Sequence, residues 1–234
     1  MKLIDENITK LCAENEIIES IELDNKEILE LGCGSAFFTR IIAQSGENRN
    51  ITAAEIDDVQ YNKNMLINDL PNVKFISCGA QEIPSENNSF DVVFMFKSLH
   101  HVPQELMAAA LEEIHRILKP NGLLYLSEPL FHGEYNEVLR LFHDEQEVRQ
   151  KAFETIKASV DNNQYSLRDE IFFNDGVVFN SFEEFENKLI KATYQNHQLD
   201  KKLYDKVQSK FNTHIKDGVA RFVKPMRVDI LRKN

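Results

Sequence analysis

A short apolar strand that breaks into paired glycines constrains this chain more than any other feature. The run E-I-L-E-L-G-C-G-S-A-F-F-T-R covers Glu27 to Arg40, and an acidic residue, Glu55, follows the glycines about two dozen positions later. The strand ends at Glu30-Leu31, the chain turns on Gly32 and Gly34, and apolar helical spacing resumes at Phe37, Phe38, Ile41 and Ile42. A second strand, Ile51 to Ala54, leads into Glu55. Strand, glycine turn, helix, strand and terminal carboxylate form half of a nucleotide-binding α/β unit. Glycine is required where backbone must approach a ligand or take positive φ. A carboxylate at a strand tip accepts hydrogen bonds from ribose hydroxyls. The pattern predicts an adenosine-type cofactor.

The third position of the turn narrows the choice. A dinucleotide fingerprint needs a small residue at position 37 for close helix–strand packing, and Phe37 stands there. Ala36 instead gives G-C-G-S-A, a G-x-G-x-small turn, which favours S-adenosylmethionine over NAD.

The rest of the chain repeats the strand–helix rhythm. Helix is expected from Ala36 to Ser45, then from Asp57 or Asp58 to about Leu70 before Pro71. Further strands are expected at Val73 to Ser77, Phe90 to Phe96 and Leu123 to Ser127, with a helix from Pro103 to Leu118. This predicts an α/β fold: a Rossmann-like doubly wound sheet of seven strands, mostly parallel with an antiparallel C-terminal strand. Residues 1–25 read as an N-terminal helical segment, and 130–180 as a helical substrate cap inserted after strand five. Within that cap, Tyr135 to Val160 has amphipathic helical spacing, and Phe131, Phe142, Phe172, Phe173 and Phe179 could line an apolar chamber. A capping box at Ser181 to Glu184 and apolar spacing from Leu199 predict two later helices, followed by strands at Val219 to Val223 and Met226 to Leu231. All 234 residues fit a single domain.

Composition excludes some functions. The net charge of −11 argues against a nucleic-acid substrate, because neutralising phosphates needs clustered cations. The charge is uneven: residues 201–234 hold ten Lys or Arg against three Asp, leaving −18 for the first 200. Cys12, Cys33 and Cys78 form no C-x-x-C pair, so no zinc ribbon or disulfide framework is indicated. No apolar run reaches the ~20 residues of a membrane span, and the early Asp5 and Glu6 do not suit a signal peptide. The expectation is a cytoplasmic protein without a metal.

Four blocks in order give the chain a family likeness: I-L-E-L-G-C-G-S-A-F-F, A-A-E-I-D, C-G-A-Q-E-I-P-S-E-N-N-S-F-D-V-V-F, and S-L-H-H-V-P followed by L-E-E-I-H-R-I-L-K-P-N-G-L-L-Y-L-S-E-P. Over residues 27–129 it resembles the class I S-adenosylmethionine-dependent methyltransferases of the type 11, UbiE-like group. The resemblance implies that Gly32, Cys33 and Gly34 pass under the methionine portion, with Glu30 supporting the turn or the ammonium group. It assigns the ribose to Glu55, the adenine face to Ile56, and the adenine edge to Ala80, Gln81 and Glu82. Phe96, Lys97 and Ser98 would leave strand four beneath the sulfonium. Two positions depart from the family pattern. Ala36 replaces a frequent third glycine, a mild change if φ there is negative. Gly79 replaces a common Asp, so Gln81 or Glu82 would have to substitute at the adenine amino group.

Methyl transfer from such a donor demands no particular side chain, since the activated methyl belongs to the cofactor. Position at the carboxyl edge marks His101 and Glu128 as candidate catalytic residues, as base or as orienting groups. His143 and Glu147, one turn apart, suit a solvated helix face rather than a metal. The acidic balance, and the lack of an Asn or Asp-Pro-Pro-aromatic sequence after strand four, favour a small organic acceptor. Alternatives are an RNA or protein methyltransferase using the basic C-terminal segment, and a non-catalytic cofactor-binding protein.

Overall fold

A computed structural model describes residues 1–191 and 198–234. Five strands, β1 (Glu27–Leu31), β2 (Asn50–Ala54), β3 (Val73–Ile76), β4 (Phe90–Phe96) and β5 (Leu118–Pro129), run parallel. Beyond β5 the sheet continues through β6 (Tyr165–Phe179), the two-residue β7 (Ile215–Lys216) and β8 (Val219–Lys233). The order along the sheet is β3-β2-β1-β4-β5-β8-β6, with β7 paired to β8 off that path. β8 is antiparallel to both β5 and β6. The order reverses between β1 and β4, which opens a crevice at their carboxyl ends, the usual ligand position in such sheets.

Helices cover both faces: α1 (Glu14–Ile18), α2 (Phe37–Gln44), α3 (Asp58–Asn64), α4 (Met107–Ile117), α5 (Gly133–Leu139), α6 (Gln146–Asp161), α7 (Phe182–Phe185) and α8 (Lys201–Asn212). The alternation of β4 shows why. Val93 and Met95 enter a core with Leu111, Ile114, Ala152 and Ile156 of α4 and α6. Val92, Phe94 and Phe96 enter the opposite core with Ile17, Ile18 and Ile42 of α1 and α2. A strand whose successive side chains face two cores must be apolar throughout. Each such buried aliphatic or aromatic side chain contributes about 1.5–3 kcal/mol. Capping fixes the helix starts where the sequence has acceptors: Asp57 accepts from the Gln60 N–H, Ser181 from Glu184, and Asp200 from Leu203.

Several expectations need correction. Residues 130–180 are not one helical cap. Helices α5 and α6 follow β5, but 165–179 is a sheet strand paired along β8. The proposed phenylalanine chamber is likewise absent from that segment. Phe173 packs in the core beside α1, and Phe179 joins Tyr135, Phe182, Phe185, Phe211 and Phe222 in a third core beneath α5, α7 and α8. The two C-terminal strands are one, continuous through Pro225. The N-terminal segment holds a single short helix, and Lys10 and Cys12 bond through their backbones to Asn174 of β6. Helix α3 stops at Asn64, well before Pro71.

Candidate functional site

The glycine turn is pinned to the tip of β2. The N–H groups of Gly32 and Cys33 donate to the Ala54 carbonyl at 2.9 and 3.0 Å. Glu55 completes the attachment: its Oε2 accepts from the Gly34 N–H at 2.7 Å, and its Oε1 from the Asp57 N–H at 2.9 Å. The carboxylate is thus held in place while each oxygen keeps a lone pair for a ribose hydroxyl. Asn64, at the end of α3, donates to the Gly34 carbonyl at 2.7 Å and touches Cys33 Sγ. Nothing in the sequence pattern marks Asn64 for this task.

The backbone of the turn fits a ligand in close contact. A Cβ on Gly34 (φ +52°) would meet no atom within 4 Å, so that side of the loop faces open space. Ala36 has φ +62°, against the negative value that would have made its substitution mild. A non-glycine residue in this region costs about 1–2 kcal/mol. Glu30 is fully buried below the turn and accepts from the Thr39 hydroxyl. Burial pushes its carboxyl up to about 8, with the neighbouring Glu55 adding to the rise and the Thr39 bond opposing it. Burial also raises the Cys33 thiol, which therefore stays protonated and acts by packing.

The remaining cofactor candidates fall on the same edge. Ile56 projects from the tip of β2 with 64% of its surface exposed, an apolar face available to a flat ring. Ala80 is buried. A Cβ at Gly79 would lie 2.5 Å from Gln81 Oε1, so the Gln81 carboxamide fills the space that a side chain at 79 would need. Phe96 packs inward, stacked on Phe38 at 4.2 Å. Lys97 takes φ +54° as β4 ends, its N–H donating to the Ser127 carbonyl. Its ammonium sits over the Phe38 ring and pairs at 2.8 Å with the buried Glu14 carboxylate, latching α1 to the carboxyl edge. Neither Glu14 nor Thr39 was among the sequence candidates.

The catalytic candidates are arranged differently from the expectation. A 3₁₀ turn, Leu99–His101, turns His100 inward and leaves His101 exposed. His100, not His101, bonds through Nδ1 to Glu128, whose other oxygen accepts from the Leu99 N–H. Both Glu128 oxygens are thereby engaged, and its visible work is to orient His100. Burial pulls the His100 pKa down, but Glu128 and Glu145 more than offset this. Burial raises Glu128 and Glu145, yet His100 and, at Glu145, His143 and Arg149 hold both below the usual carboxylate range.

A doubly wound sheet with a glycine turn at its switch point, and a carboxylate on the next strand tip, is a Rossmann-like arrangement suited to an adenosine-type cofactor. Residues 29–126 match the methyltransferase domain family of type 11, and over that stretch the chain is similar to S-adenosylmethionine-dependent methyltransferases of the UbiE-like group. It is 32% identical over 117 residues to the ubiquinone/menaquinone biosynthesis C-methyltransferase UbiE of Rickettsia typhi, covering 47% of this chain and 46% of that protein. It is 29% identical over 120 residues to the demethylmenaquinone methyltransferase of Staphylococcus epidermidis, covering 46% and 47%. The chain thus spans under half the length of these curated relatives. In fold it is similar to the YcgJ protein of Bacillus subtilis, with a TM-score of 0.67 at 16% identity over 94% of this chain and 97% of that one.

Proposed function

We propose that this protein transfers the methyl group of S-adenosylmethionine to a small organic acceptor. The observation that carries the proposal is the Gly32–Gly34 loop, fixed by Glu55 and Asn64 and open on its ligand side. When bound, the cofactor supplies an activated methyl group on a sulfonium. The chain's own residues then bind and orient. Glu55 and Ile56 hold the ribose and adenine face, Gln81 stands in for the missing side chain at 79, and Glu30 lies beneath the turn that carries the methionine end. The acceptor enters from the edge formed by the ends of β4 and β5, where in-line approach to the methyl carbon is the requirement. The names of the relatives, ubiquinone and menaquinone methyltransferases, support a small organic acceptor as its class.

Calorimetric titration with S-adenosylhomocysteine, with NAD in a parallel cell, tests the cofactor half. Binding near 1 μM, ~8 kcal/mol, by the former alone is the expected result. Transfer of label from S-adenosylmethionine to members of a small-molecule panel tests the acceptor half. Labelling of RNA or protein substrates instead would replace the small acceptor with a macromolecular one.

A further inference from the structure

On the α6 side of the carboxyl edge, two imidazoles and a carboxylate converge. His100 Nε2 lies 3.6 Å from Oε1 of Glu145, the residue immediately before α6. One donor atom each from His100, His101 and Glu145 lies within 4.8 Å of the other two. A 3.6 Å separation is too long for an N–H···O hydrogen bond, which centres on ~2.9–3.0 Å. It is close to the ~3.3 Å between two donors that share a tetrahedral ion at ~2.0–2.1 Å.

We propose that His100, His101 and Glu145 form a binding site for a divalent transition-metal ion of the zinc class, with Glu128 as the carboxylate that positions His100. The support around the ligands follows the pattern of such sites. Glu128 takes the Nδ1 side of His100, which leaves Nε2 directed at Glu145. Arg149 holds Glu145 Oε2 at 2.5 Å and His143 reaches Oε1 at 2.7 Å, so the carboxylate is fixed in orientation, with the remaining lone pair of Oε1 left for an ion. His101 is exposed, which gives an ion a path from solvent and lets its ring swing to close the set. Two imidazoles and one carboxylate suit zinc, and three protein ligands leave a position for water or an acceptor oxygen. No local sequence pattern marks this set, because Glu145 lies more than forty residues from the histidine pair.

The test uses the full chain, stripped with chelator and titrated with Co²⁺ alone, followed by its visible d–d bands, then with Zn²⁺ as competitor. One saturable equivalent of Co²⁺ that Zn²⁺ displaces is expected. His101→Ala, at an exposed position, and Glu145→Gln should each weaken Co²⁺ binding at least ~10-fold, and Glu128→Gln by ~10–100-fold through loss of the positioning bond. His132→Ala, outside the set, should leave it unchanged. Absence of bands in the wild type overturns the proposal, as does Co²⁺ affinity that His101→Ala leaves within twofold, even if Glu145→Gln fails to fold. Metal binding needs no cofactor, so titrating S-adenosylhomocysteine on the same sample separates its failure from that of the methyl-transfer proposal.

Discussion

A Cβ placed on Gly32 would lie 2.8 Å from Cβ of Ser98, so the glycine loop packs against Ser98, just past β4, too closely to admit a side chain. Gly34, two residues on, has no atom within 4 Å of the same construction. The two glycines therefore predict different failures. Gly32→Ala should destabilise the fold by about 2–3 kcal/mol, combining positive-φ strain with overpacking. Gly34→Ala should cost about 1–2 kcal/mol of strain but place its methyl in the open space assigned to the proposed cofactor. Urea midpoints read the first effect, and titration with S-adenosylhomocysteine the second. Equal loss of binding per unit of lost stability in both variants would remove Gly34 from the cofactor surface.

Lys97 and Glu14 form an ion pair whose carboxylate is almost wholly buried, at 3% side-chain exposure, while the ammonium retains 27%. Removing one partner strands a buried charge, whereas removing both leaves a neutral contact. Lys97→Met should lower stability by about 2–4 kcal/mol. Adding Glu14→Gln should recover more than half of that loss. A double-mutant cycle with no coupling would show that α1 is held to the edge by its apolar face alone.

Glu30 gives the pH dependence. Its carboxyl is raised from 4.5 to about 8, first by burial, with Glu55 and Glu14 reinforcing the rise and Thr39 and Lys97 opposing it. The folded state thus keeps a proton that the unfolded chain releases between those values. This contribution is fully present below pH 4.5 and is lost as pH rises through about 8. Glu30→Gln should remove the loss, so the variant gains on the wild type by about 2–4 kcal/mol between pH 5 and pH 8.5. Urea denaturation of both proteins at several pH values measures it, and parallel curves would show that Glu30 ionises freely.

The parts of this fold legible in the sequence are those with one local cause. The apolar run Phe90 to Phe96 has to be a strand between two cores, and the Gly32–Gly34 turn with Glu55 locates the crevice. β6 was hidden because Arg168, Asp169 and Glu170 interrupt its alternation, and a register shift between Leu167 and Asp169 disturbs it further. As an edge strand it gains its place by pairing along β8, which no local pattern records. The choice between His100 and His101 was equally hidden. Adjacent residues differ only in which way a 3₁₀ turn directs them, and Glu128 and Glu145, distant in sequence, decide which ring is buried.

Glu55 and Asn64 hold the same loop by different means, and that difference separates ligand contact from loop support. Glu55 accepts from Gly34 N–H and retains lone pairs toward the crevice, while Asn64 donates to Gly34 O from behind it. If Glu55 holds the ribose as proposed, Glu55→Ala removes charge-assisted hydrogen bonds to it as well as the anchor, about 1.5–3 kcal/mol. That corresponds to a ten- to hundredfold loss of affinity for S-adenosylhomocysteine. Asn64→Ala removes loop support alone and should cost about 1 kcal/mol, appearing in stability more than in affinity. Adenine without its ribose, used as a second titrant, sharpens the comparison: its weak binding should be insensitive to Glu55→Ala. If S-adenosylhomocysteine binds Glu55→Ala as tightly as the wild type, the carboxylate serves only the loop and the ribose is held elsewhere.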